Sequence, residues 1–77
     1  MSITQRLSSL TTGQSATIQA LHVDAGFQHR LHALGFRVGK KLTVIRVAPF
    51  NGPLHLRIGA TDVMLRQHDA ANIEILN

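Results

Sequence analysis

The sequence contains no cysteine, no tryptophan and no tyrosine, and only three phenylalanines and two prolines. Each shortage removes a class of function. Without thiols there is no disulfide scaffold, no thiolate zinc site and no cysteine nucleophile, and an intracellular setting fits. Single-stranded nucleic-acid barrels stack bases on exposed aromatics, and an aromatic content of 4% leaves little material for that. Acids are scarce too, four against eight lysines and arginines. A transition-metal site built without thiolates wants several converging imidazole or carboxylate ligands, and four acids needed for caps and turns leave few to converge. No apolar run approaches the ~20 residues of a membrane-spanning helix. The opening "MSITQRLSSLTTG" lacks the basic start and apolar block of a secretory leader.

What remains is a chain of 77 residues, read as one domain over 1–77. A domain of this size buries about 60% of the surface its unfolded chain exposes, which leaves little over for an enclosed active site. Hydrophobic residues make up 44% and charged residues 16%, an ordinary globular balance. The net charge of +4 comes from Arg6, Arg30, Arg37, Lys40, Lys41, Arg46, Arg57 and Arg66. Only Lys40 and Lys41 are adjacent, so the sequence reads as a solvated basic surface rather than a polyanion track.

Periodicity places one helix and about five short strands. Ile3, Leu7 and Leu10 have the spacing of a short amphipathic turn. "SATIQAL" (15–21) is β-prone, with Ala16, Ile18 and Ala20 on one face and Leu21 on the other. "DAGFQHRLHAL" (24–34) reads as a helix capped by Asp24. "LTVIRVA" (42–48) breaks its period of two, which predicts a bend or bulge. "PFNGP" (49–53) is a turn in which Asn51-Gly52 supply positive φ. "LHLRI" (54–58) alternates cleanly, and "DVMLR" (62–66) and "NIEIL" (72–76) complete the set, with Met64 facing outward. So many short strands in so small a chain predict a barrel closed to remove its edges.

The stretch "HRLHALGFRVG" (29–39) carries the two histidines that most resemble a metal clamp. At 100° per residue Phe27, Leu31 and Leu34 fall within a narrow arc that must face the core. His29 and His32 then lie opposite, in solvent. Turning them inward would expose side chains worth ~1.5–3 kcal/mol each when buried. A weak, adventitious surface chelate through His29 and His32 is what remains. Gly35 suits the left-handed position that ends a helix, with Phe36 packing back on Leu31, and Gly39 serves the turn into the next strand.

This segment, "RLHALGFRVGKKLTVIRVAP", resembles the hallmark of the FeoA family (ferrous iron transport protein A). "LTTGQSATIQAL" resembles the opening of that family, and "NGPLHLRIGATDVMLRQHDAANIEI" its ending. The resemblance covers nearly the whole chain. It implies a mostly β fold, a small SH3-like barrel with one short α-helix between the first two strands. It also implies a cytoplasmic accessory role in bacterial ferrous iron uptake, exercised by protein–protein contact with the membrane transporter FeoB. Association with the membrane would then be indirect. The same barrel occurs in metal-dependent repressors, so a regulatory or nucleic-acid-binding module is the alternative, and an Fe²⁺ chaperone a third reading.

The remaining constellations are weak. His22 and Asp24 with His55 or His68 imitate a two-histidine, one-carboxylate iron site, but Asp24 is spent as a cap. His68-Asp69 near Asp62 reads as a solvated turn. Gly35, Gly39 and the lysine pair lack the Gly-Lys-Ser/Thr that opens a phosphate-binding helix. No catalytic set and no cofactor site are expected, and no nucleic-acid partner. Phe50 stands out as an apolar residue in a turn, a candidate contact for a protein partner. The oligomeric state is not legible.

Overall fold

The computed structural model describes residues 4–77. Its elements in order are β1 (Thr4–Arg6), a 3₁₀ turn (Leu7–Ser9), β2 (Ser15–Leu21), α1 (Ala25–Ala33), β3 (Lys41–Val47), β4 (Leu54–Ile58), β5 (Thr61–Leu65), α2 (Gln67–Ala70) and β6 (Ile73–Leu76). All strand pairings are antiparallel and form a single sheet in the order β1-β6-β2-β3-β4-β5. The core is built from alternate residues of these strands: Ala16 and Ile18, Leu42 and Val44, Leu54, Leu56 and Ile58, Val63 and Leu65, Ile73 and Ile75. Leu7, Leu10, Leu31, Phe36 and Ala70 fill in around them.

Three features of the element order differ from the sequence reading. A sixth strand, β1, exists because Thr4–Arg6 pair with Arg6↔Glu74, Gln5↔Ile75 and Thr4↔Leu76. Three polar residues carry no strand periodicity, so only the free edge of β6 recruits them. Leu7 and Leu10 are buried as the amphipathic turn requires, while Ile3 lies outside the described residues. The turn at 67–70 is a short helix that buries Ala70. Finally, the ladder does not close among the described residues. Strands β1 and β5 each have one neighbour, so the barrel keeps two edges where complete closure was expected.

Bulges set the faces. The expected break in β3 falls between Val44 and Arg46 in its pairing with β4. A second, between Ile18 and Ala20 of β2, reverses the phase at the end of that strand. Leu21 consequently packs against the core instead of facing out, and Ala20 is only half-buried.

Helix α1 begins where the Asp24 carboxylate accepts the Phe27 N–H at 2.8 Å. It ends in a double closure: Gly35 N–H donates to His32 O at 3.0 Å and Phe36 N–H to Leu31 O at 2.9 Å. With Gly35 at φ +99° this is a Schellman cap, and its two apolar residues, Leu31 and Phe36, both lie in the core. The wheel argument overstates the rest of the helix. Leu31 is 1% exposed, but Leu34 is 42% exposed and Phe27 half-buried. Of the nine helical residues only Leu31 is buried, and Leu34, the C-cap, is left exposed.

Candidate partner-contact surface

The hairpin joining β3 and β4 is the most unusual feature of the surface. Val47 pairs with Leu54, and beyond them Ala48 N–H donates to Pro53 O at 3.1 Å. Gly52 N–H then closes on Pro49 O at 3.1 Å. Phe50 and Asn51 occupy the two central positions, each at φ 59°, as a type I′ turn demands. The positive φ therefore falls one residue earlier than the Asn51-Gly52 dipeptide predicts. Pro53 has no N–H, so Gly52 must be the closing donor, and that sets the register. Gly52 is needed for space, because a Cβ there would stand 2.7 Å from the Ala48 Cβ. Its carbonyl accepts from the Gln67 side chain at 3.2 Å, which ties the tip to α2.

The consequence is that Phe50 is 100% exposed on a left-handed backbone that a bulky residue rarely adopts. The conformation closes the hairpin, but the ring itself gains nothing by burial, which makes Phe50 a candidate contact residue.

A second apolar feature lies between α1 and the edge strand β5. Leu34 and Met64 (60% exposed) wall a shallow groove floored by Leu31, Val63 and Leu65. Phe27 closes one side, with the Arg30 guanidinium 5.4 Å from its ring centroid. Because β5 is an edge, this groove offers unpaired backbone beside apolar side chains, an opening that a closed barrel lacks.

The titratable residues form separate pairs. Asp62 accepts from Arg57 Nε at 2.7 Å and stands 3.1 Å from His55 Nε2, across the β4–β5 ladder. Those hydrogen bonds, Arg57 first and His55 second, hold the Asp62 carboxyl down at about 2. His22 lies 3.4 Å from Glu74, and Arg66 is 3.6 Å from Asp69. So His22 and Asp24, two residues apart in the motif, are engaged elsewhere, and His55 faces Asp62 rather than either. His29 is exposed and His32 half-buried on α1. Among the described residues no three His, Asp or Glu side chains converge as metal ligands. No helix among them is long and apolar enough to cross a membrane.

One six-stranded antiparallel sheet with a short helix after its second strand makes a small SH3-like barrel. By both fold and sequence the chain belongs to the FeoA family: the FeoA domain model matches residues 5–76. It is 41% identical over 70 residues to an Fe(2+) transport protein A/Fe(2+) transporter FeoB fusion protein of Porphyromonas gingivalis. That match covers 91% of this chain and 8% of the fusion protein. The solution structure of iron(II) transport protein A from Clostridium thermocellum superposes with a TM-score of 0.86 at 32% identity, over 92% of this chain and 44% of that one. A manganese-dependent transcriptional repressor shares the fold alone, with a TM-score of 0.88 at 18% identity, over all of this chain and 43% of the repressor.

Proposed function

We propose that this domain is a non-catalytic cytoplasmic accessory of ferrous iron uptake that acts by binding the cytosolic part of a FeoB transporter. The observation that carries the reading is the fusion relative, in which a domain 41% identical to this one is covalently joined to the transporter. Fusion holds two parts at high effective concentration, which is useful when they work in contact. The hairpin tip supplies the chemistry. A fully exposed aromatic on a tethered turn is suited to fill a partner pocket, the usual way a small interface concentrates its energy. The α1–β5 groove is the second candidate surface. Titration calorimetry of the cytosolic region of FeoB with the parent and Phe50→Ala tests the reading, with an expected loss of about 1–3 kcal/mol. Parental binding by a folded Phe50→Ala would move the contact off the hairpin, and no binding by the parent would remove the reading.

The likeness to repressors favours a second reading, a regulatory module, but it extends to fold only. That module would show sequence-dependent DNA binding at physiological salt. The scattered cations predict instead weak binding with a shallow salt slope, about −0.9 per phosphate engaged.

A further inference from the structure

We propose that the turn Arg37-Val38-Gly39-Lys40-Lys41 docks the domain directly onto an anionic phospholipid surface. In the sequence these cations look like part of a scattered set, and the fold changes their standing. The turn is closed by Lys40 N–H on Arg37 O at 3.0 Å, with Gly39 at φ +93°. It is also stitched to β2 in both directions, by Gly39 N–H on Ile18 O and by Ile18 N–H on Lys40 O, each at 2.8 Å. The backbone is therefore held before anything binds, and little ordering cost remains.

Three cations project from this anchored corner, and all five of its residues are exposed. The chain's four acids are all engaged elsewhere. Asp24 caps α1, Asp62 binds Arg57 and His55, Asp69 pairs with Arg66, and Glu74 faces His22. No described carboxylate forms an ion pair with Arg37, Lys40 or Lys41, so their charge is available to an outside anion.

Charge alone would suit any polyanion, and Val38 makes the choice. It sits at the corner of the turn, 65% exposed, between the cations. An aliphatic tip flanked by basic residues can enter the headgroup layer while the cations meet phosphates. A nucleic-acid surface wants stacking aromatics or a groove-entering helix. Phe36 is buried, Phe27 is half-buried beneath Arg30, and Phe50 lies beyond the opposite end of β3, ~20 Å from Lys41 at strand spacing. The same separation leaves the hairpin tip free, so this inference does not depend on the transporter reading.

Each cation near an anionic membrane multiplies binding about fivefold, so three give on the order of a hundredfold. The test is co-sedimentation of the full chain with phosphatidylcholine vesicles, with and without phosphatidylserine. The variants are the triple Arg37→Gln/Lys40→Gln/Lys41→Gln, Val38→Ser and Phe50→Ala, each checked by a circular-dichroism melt. Expected are binding only where phosphatidylserine is present, a loss on the order of a hundredfold in the triple variant, a several-fold loss in Val38→Ser, and no change in Phe50→Ala. Equal binding to both vesicle types, or parental binding by the triple variant, overturns the proposal. Parental binding by Val38→Ser, or tighter binding to duplex DNA than to vesicles, overturns lipid as the ligand.

Discussion

Phe50 is the residue at which local strain and burial are most clearly opposed. A left-handed backbone costs an ordinary residue roughly 1–2 kcal/mol, and a side chain wholly in solvent recovers none of that by burial. Phe50→Gly removes the strain but gives the unfolded chain more freedom, an offset of about 0.5–1 kcal/mol. A net gain of about 0.5 kcal/mol in urea melts is therefore expected, together with weaker binding to FeoB. A loss of stability on this substitution would mean that the ring does pack. The proper core control is Phe36, which is fully buried, and Phe36→Ala should cost about 3–5 kcal/mol. Phe27, which the helical wheel places in the core, is only half-buried, and its truncation should cost less.

The end of α1 and the β4–β5 ladder each make a prediction about one element. Gly35 and Gly39 both hold positive φ, but their surroundings differ. A Cβ at Gly35 would sit 3.5 Å from the Ile58 Cγ2, whereas one at Gly39 would meet nothing within 4 Å. Gly39→Ala should therefore show strain alone, about 1–2 kcal/mol. Gly35→Val should cost more, since branching at Cβ adds crowding against Ile58. Equal urea midpoints would contradict the cap. On the ladder, Asp62 titrates at about 2 in the folded chain against an ordinary 3.8. A depressed carboxyl stabilises the fold above its unfolded value, and that contribution fades as pH falls from 3.8 toward about 2. Melting temperatures of the parent should therefore fall more steeply across that window than those of Asp62→Asn. Added salt should shrink the difference, because the cluster is exposed. Identical acid limbs would show that the Arg57–Asp62 pair adds nothing.

Metal affinity belongs to the whole molecule, because ligands far apart in sequence must converge. Here the barrel disperses them: Glu74 stands with His22, Asp62 with His55, and Asp69 with Arg66. Anaerobic Fe²⁺ should therefore leave the melting temperature unmoved. Zn²⁺ should raise it slightly through His29 and His32, an effect that His29→Ala abolishes. A stoichiometric sub-micromolar Fe²⁺ isotherm would revive the chaperone reading. The barrel also distributes its surfaces, with the strained hairpin tip at one end of β3 and the basic turn at the other. A domain built this way can meet a membrane and a protein without the two competing.

Local chemistry alone determined much of this protein. Asp24, Leu31, Gly35 and Phe36 specify where α1 starts, what it buries and how it stops, because a cap and a left-handed glycine act within one turn of chain. Alternation in 54–58 settled which side of β4 faces in, and the irregular run at 42–48 announced its bulge. Tertiary structure decided what no neighbouring residue encodes. Thr4–Arg6 became a strand only because β6 offered an edge, and the β2 bulge turned Leu21 inward. Leu34, the cap residue of α1, was left exposed while Leu31 took the core position. The hairpin tip was local but misread: Pro53, by lacking an N–H to close the turn, moved the left-handed positions onto Phe50 and Asn51. Folding also set Glu74 opposite His22, while the other three acids are engaged within a few residues of chain, and Arg37, Lys40 and Lys41 are left without a carboxylate partner among the described residues. Residues adjacent in the chain share a turn, but only folding decides which distant charges become neighbours.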